Sequence, residues 1–449
     1  MVNAHRARGL RVALLLSLAG ASVDAQLPST PPPLPRATPE AMGMSSAALD
    51  RATARLQAHV DSGDIAGVVA AVMRDGHVVY QVALGVRDVA TGDPMSTDAL
   101  FRLYSMTRPI TSTAILLLQD AGRLSVQDPL TRWLPAFASQ RVLVNAADGM
   151  RRDTGTAPLA TRPRQGDITL AQLLTHTSGI GSRDAPLYRA RDVHRWDKSL
   201  AQVVDGVAAA PLFEDPGARF RYGMHTEVLG RVIEQASATP LETFLRTRLF
   251  EPLGMRDAVF RVDSARARRL ASVHRKDAAG RLQPYAMETI DVTGDRRLIS
   301  AGVGLVASTD DLLRFGQLFL DNGRVGDQQV LSQGAVRLAR ENAVPTALLP
   351  LPGGGYWAGS GWSLGGFAVA LDPARYAHPI RRGEFWWDGS AGTRFWIDPV
   401  ERLVIVVMAQ VVPAGGGGFR ERFREAVEDA IITRRAARDN AVPPSPLRP

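Results

Sequence analysis

Apolar and polar positions along the chain change their period several times, and each change marks an element. After Ser45, a residue that can cap a helix start, Leu49, Leu56 and Val60 predict an amphipathic helix. Gly67 to Met73 and Val78 to Leu84 are runs rich in β-branched residues, joined by Arg74-Asp75-Gly76-His77. Asp-Gly between two such runs predicts a tight hairpin. A mostly helical middle follows, interrupted between Ser139 and Asp167 by loops rich in Gly, Asp and Arg. Ser308-Thr309-Asp310-Asp311 resembles a capping box opening a helix over Leu312 to Leu320. Three strand-like runs come late: Glu384 to Trp387, Arg394 to Ile397 and Leu403 to Ala409, with turns at Asp388-Gly389 and around Asp398-Pro399. A last helix is expected over about Phe419 to Thr433. Strands at both ends with helices between predict an α+β fold: one antiparallel sheet built from both termini, flanked by helices, with a mostly helical lobe inserted.

The ends of the chain follow different rules. Val12 to Ala21 is apolar, stands behind Arg6, Arg8 and Arg11, and is followed by Val23-Asp24-Ala25. A basic region, a short apolar run and a small-x-Ala site predict a secretory signal over residues 1–25. Residues 26–44 are a proline-rich linker, 45–436 the folded domain, and 437–449 a proline-rich tail. No run approaches the roughly 18 apolar residues that span a bilayer. The expected location is therefore periplasmic or secreted, and the expected state is a monomer.

Composition narrows the chemistry. The 449 residues are 45% hydrophobic and 22% charged, enough for a large core. With no cysteine there is no disulfide, no thiol nucleophile and no lipid-bearing cysteine. The net charge is +8; the first 25 residues carry three arginines and Asp24, leaving 8 − 2 = +6 for the remainder. The arginines are dispersed rather than clustered with aromatics, so a nucleic-acid partner is not expected. Only Lys198 and Lys276 are lysines, so 53 − 2 = 51 basic residues are arginine.

Metal and cofactor chemistry finds no support. H-E-x-x-H is missing, and His225-Thr226-Glu227, half of a zinc-deaminase signature, lacks the cysteines that would complete it. The nucleophile elbow of α/β-hydrolases is set aside as well. The segment Arg102-Leu103-Tyr104-Ser105-Met106-Thr107-Arg108-Pro109-Ile110-Thr111-Ser112 leads into the apolar run Ala114 to Leu118. A serine opening that helix would lie near its positive dipole end, with Arg108 on the same face.

This segment resembles the S-x-x-K region of serine β-lactamases, DD-peptidases and family VIII esterases. Ordered matches accompany it: Ile168-Thr169-Leu170 through Leu174-Thr175-His176-Thr177-Ser178-Gly179, Pro216-Gly217-Ala218-Arg219-Phe220-Arg221-Tyr222, Pro252-Leu253-Gly254-Met255, Gly302 to Ser308, and Trp386-Trp387-Asp388-Gly389-Ser390-Ala391-Gly392-Thr393. The resemblance covers about residues 40 to 433. It implies a serine β-lactamase/DD-peptidase-like fold, with Ser105 as nucleophile and Tyr222 as proton shuttle. The backbone N–H groups of Ser105 and Ser390 would form an oxyanion hole. Trp387, Asp388, Gly389 and Met224 would touch substrate, and His176 would be structural. No metal or cofactor is implied.

Three positions depart from the family. Met224 stands where Tyr-x-Asn has its asparagine, and Trp387 replaces the lysine of K-T-G. Both changes favour a small neutral ester, with amides next, over a β-lactam or a D-amino-acid peptide. Arg108 replaces the S-x-x-K lysine and cannot give up its proton at working pH. Three readings follow. Tyr222 is the base beside a fixed cation, the site acylates slowly or only binds acyl or peptidoglycan-like ligands, or activity was lost by drift.

Overall fold

The computed structural model describes residues 32–151, 159–287, 292–294 and 297–435. The expected signal segment and the tail from 437 lie outside the described residues. An eight-stranded antiparallel sheet organises the rest. In spatial order its strands are Ser360–Trp362, Ala368–Ala370, Phe385–Asp388, Arg394–Asp398, Leu403–Met408, Gly67–Arg74, His77–Asp88 and Asp93–Pro94. The sheet thus joins both ends of the chain, as the strand pattern requires. Leu403–Met408 pairs with Gly67–Arg74, Val69 opposite Met408 and Arg74 opposite Leu403. Both strands are buried along their whole length, which is why they read as continuous apolar runs. Asp75 and Gly76 have φ of 51° and 77°, the left-handed pair that a two-residue hairpin demands.

Helices cover both faces of the sheet. The first helix, Ser46–Asp61, is capped by the Ser45 side chain and packs against Phe419–Asp429. On that face Tyr80 meets Phe423. The helix Thr309–Leu320 lies on the opposite face, where a Cβ on Gly316 would come within 2.5 Å of Val404. Its capping box is present as expected, with Ser308 and Asp311 each satisfying the other's backbone N–H. Between sheet and inserted lobe runs Thr107–Asp120, buried from Thr107 to Leu118 and packed on His225–Ser237.

Two boundaries differ from the pattern-based expectation. The last helix ends at Asp429, because the chain beyond it returns to the first residues of the domain: Thr433 N–H donates to Gly43 O, and Met44 bridges Ile431. The described end of the proline-rich stretch is also bound to the domain, Val78 N–H donating to Pro35 O at 2.8 Å. Buried Arg74 ties these ends together through Glu401, Met42 O, Gly43 O and Thr433 O. No described helix is long and apolar enough to cross a membrane.

Candidate active site

The nucleophile position is set by short-range constraints. Leu100–Arg102 pairs with Val306–Ser308, and Leu103 N–H donates to Leu305 O at 2.9 Å. A single 3-10 turn, Tyr104–Met106, then leads into the helix Thr107–Asp120. Tyr104 is left-handed at φ 49°, a conformation that costs a bulky side chain about 1–2 kcal/mol and is held here by burial of its ring. Ser105 therefore stands half-buried at the helix N-terminus, where the helix dipole favours negative charge.

Arg108, one turn on, is 8% exposed. Its Nη1 donates to Gly223 O and to Thr226 Oγ1, both at 2.8 Å. Its guanidinium carbon sits 4.3 Å from the centre of the Tyr222 ring. Nearby Glu227 is engaged elsewhere, accepting from Ser300 Oγ at 2.5 Å and Ala301 N at 2.8 Å. Thr111 Oγ1 donates to Ala301 O at 2.7 Å, so this loop is fastened to the nucleophile helix.

Tyr222 is fixed from behind by the Leu-Leu-Thr-His-Thr-Ser-Gly segment. Arg221 N–H donates to His176 O at 2.8 Å and Met224 N–H to Gly181 O at 2.9 Å. A Cβ on Gly223 would lie 2.3 Å from Gly181 O, so only glycine permits that approach. The Tyr222 hydroxyl is buried and closes no hydrogen bond. Burial pushes its pKa above the usual tyrosine value, while the Arg108 charge and then the adjacent Ser105 and Trp387 side chains pull it down. His176 packs against this ring at 4.7 Å, and its Nδ1 meets His225 Nδ1 at 3.0 Å. Burial drives both imidazoles toward the neutral form, His225 to about 3.

The third wall is the turn after Phe385–Asp388. Gly389 approaches the nucleophile segment so closely that a Cβ would stand 2.4 Å from Leu103 O. Gly389 N–H donates to Thr393 O, closing the turn. Among the described residues, the backbone N–H groups of Ser105 and Ser390 have no backbone acceptor. Asp388 accepts from Tyr356 Oη at 2.6 Å and from Arg420 Nη1 at 3.1 Å. Met224 is buried at the start of His225–Ser237. Trp387 is almost wholly buried, with Trp357 stacked on it at 5.4 Å and Trp362 edge-on at 4.4 Å.

Sequence reasoning missed this aromatic cover. Trp357 and Tyr356 arrive on a glycine-rich loop with no strand or helix period, and Trp362 on a three-residue strand. Gly361-Trp362-Ser363-Leu364-Gly365 spells G-x-S-x-G, the signature of the α/β-hydrolase elbow. The structure excludes that role: Ser363 is fully buried in a β-hairpin, its Oγ accepting from Phe367 N–H, rather than exposed on a strand-to-helix turn. His225 and Glu227 are likewise spent on internal contacts, and no described cluster of His, Asp or Glu could hold a metal ion.

A model of the Beta-lactamase family matches residues 52–428. The chain belongs to that family. It is 33% identical over 376 residues to an uncharacterised protein of Mycobacterium tuberculosis, covering 81% of this chain and 90% of the relative. It is 29% identical over 424 residues to Esterase EstB of Burkholderia gladioli, covering 88% and 98%. Among solved structures, EstCE1, described as a hydrolase with promiscuous acyltransferase activity, superposes with a TM-score of 0.71 at 26% identity, over 85% of this chain and 98% of its own. LovD, the simvastatin synthase of Aspergillus terreus, shares the fold at a TM-score of 0.71 and 23% identity, over 85% and 98%. The family and its esterase members make this a chain of the serine hydrolase class with the β-lactamase fold.

Proposed function

We propose that this protein hydrolyses small carboxylic esters through an acyl-Ser105 intermediate, with Tyr222 as the base and Arg108 as a fixed cation. The observation that carries the reading is the placement of Tyr222. Its unpaired hydroxyl lies beside Ser105, and its ring rests on a guanidinium that cannot itself accept a proton. Tyr222 as phenolate takes the Ser105 proton, and Oγ attacks the ester carbonyl carbon. The N–H groups of Ser105 and Ser390 receive the oxyanion, each worth about 2.7–4 kcal/mol in the transition state. The tetrahedral intermediate expels the alcohol, which takes the proton from Tyr222. Water, deprotonated by the same phenolate, then attacks the acyl carbon, and Ser105 leaves with that proton.

Trp387 in place of a cationic residue, beneath Trp357, supports a neutral acyl substrate over an anionic β-lactam or peptide carboxylate. EstB is named an esterase and EstCE1 a hydrolase, which supports the same class. A second reading, a slow or non-catalytic acyl binder, draws on the net upward push on Tyr222, which makes the phenolate scarce at neutral pH. Hydrolysis of p-nitrophenyl butyrate separates the two. Turnover by wild type and none by Ser105→Ala is expected; no turnover by wild type at any pH up to 10 would leave only the binder. We further propose export, supported by residues 1–25. N-terminal sequencing of the protein from a secreting host is expected to begin at Gln26, and Met1 or Val2 there would refute it.

A further inference from the structure

Trp387 holds a buried polar atom that substrate binding does not account for. Its indole Nε1–H is inaccessible to solvent and has no hydrogen-bond partner. An orphaned buried N–H is costly, and in a native site such a group calls for an explanation. The neighbouring orphan is the Tyr222 hydroxyl, also buried and unpartnered, on a ring 5.4 Å from the Trp387 ring at an interplanar angle of 48°. The two groups are complementary: an indole N–H only donates, and a phenolate oxygen only accepts.

The surrounding packing fixes the indole. Trp357 stacks on one side at 24°, and Trp362 meets it edge-on, its own Nε1–H already given to Leu174 O at 3.0 Å. The strand Phe385–Asp388 fixes the backbone, Trp387 lying opposite Phe395. Trp387 therefore cannot turn its N–H outward, and Tyr222 cannot turn away from Trp387 without leaving Arg108. The indole and Ser105 are also the two side chains whose hydrogen-bonding reach lowers the tyrosine's pKa. Catalytic hydrogen bonds commonly stand long at rest and close when charge develops.

We propose that Trp387 is a positioning residue that donates its indole N–H to the Tyr222 oxygen in the phenolate form, sharing with Arg108 the stabilisation of the base. The inference rests on Tyr222 being the base. It gives the tryptophan at this position a polar task besides shaping the pocket, and it gives a site with no proton-accepting lysine a second way to populate phenolate.

The test is the pH dependence of kcat/KM for p-nitrophenyl butyrate in wild type, Trp387→Phe, Trp387→His and Tyr222→Phe, with thermal unfolding to confirm folding. Phenylalanine keeps an aromatic ring and removes the N–H. Loss of a hydrogen bond to a charged group is expected to move the rising limb about one pH unit higher, roughly a tenfold loss below the inflection. The curves should converge at the highest pH, and KM should change little. Trp387→His, which retains a ring N–H, should fall between the two, and it carries the comparison if the phenylalanine variant does not fold. An equal loss at every pH, or a Trp387→Phe profile superimposed on wild type, would overturn the proposal. Tyr222→Phe reads the underlying assignment separately: full activity there refutes the tyrosine base itself, whereas an inactive Tyr222→Phe with an unshifted Trp387→Phe refutes only the role of the indole.

Discussion

Replacing Gly389 with alanine adds one methyl group where the third wall meets the nucleophile segment. The new Cβ would stand 2.4 Å from Leu103 O and 2.3 Å from Thr393 Oγ1. The threonine hydroxyl can rotate, but the carbonyl is backbone, two residues before Ser105. Real Cβ–oxygen contacts begin at 3.0 Å, so turn and segment must part by at least 3.0 − 2.4 = 0.6 Å. That movement carries the Ser390 N–H away from the Ser105 oxygen. Loss of one oxyanion donor corresponds to about 10²–10³ in kcat, and a misplacement near 1 Å to about 10². The packing strain itself costs about 1–3 kcal/mol of stability. The expected result is therefore a kcat/KM at least about a hundredfold lower on p-nitrophenyl esters, in a protein that still folds. Gly415→Ala is the control, since its Cβ would meet nothing within 4 Å and its φ is ordinary. Wild-type kcat/KM in Gly389→Ala would refute the idea that this turn supplies the oxyanion donor.

Other perturbations test other parts of the site. Arg108→Gln removes the cation under Tyr222 but leaves the tyrosine, so kcat/KM at pH 8 should fall at least about tenfold, with a smaller deficit as pH rises; a pH-independent deficit would contradict the electrostatic role. Nitrocefin should be turned over far more slowly than p-nitrophenyl butyrate, and comparable rates would overturn the substrate ranking. Five histidines, His176, His194, His225, His274 and His378, have pKa values lowered by partial or complete burial. The unfolded chain protonates them first, so their contribution is present above pH 6.5 and is lost as pH falls. His225, at about 3, accounts for about 2 kcal/mol between pH 6.5 and 5. Thermal melts should show a lower Tm at pH 5 than at pH 7.5; an unchanged Tm would contradict neutral burial.

The fold was largely legible because its main signals are local. Ser45 and Ser308 cap their helices, Asp75-Gly76 turns the hairpin, and the strands Gly67–Arg74 and Leu403–Met408 are continuous apolar runs. Ser105, Arg108 and Tyr222 were legible through a family pattern, and the structure gathers them around one tyrosine ring. What stayed hidden depends on contacts far apart in sequence. Trp357 and Trp362 follow no period, and their packing on Trp387 is made only when the sheet assembles. Ser363 shows the reverse failure, since a pentapeptide cannot reveal that its serine is buried in a hairpin.

The central claim, that Tyr222 rather than residue 108 takes the serine's proton, is tested most directly by intact-mass kinetics of acylation with a slow ester. Wild type is expected to gain one acyl group on Ser105, Ser105→Ala none, and Tyr222→Phe to acylate at least about a hundredfold more slowly. Acylation of Tyr222→Phe at the wild-type rate would contradict it.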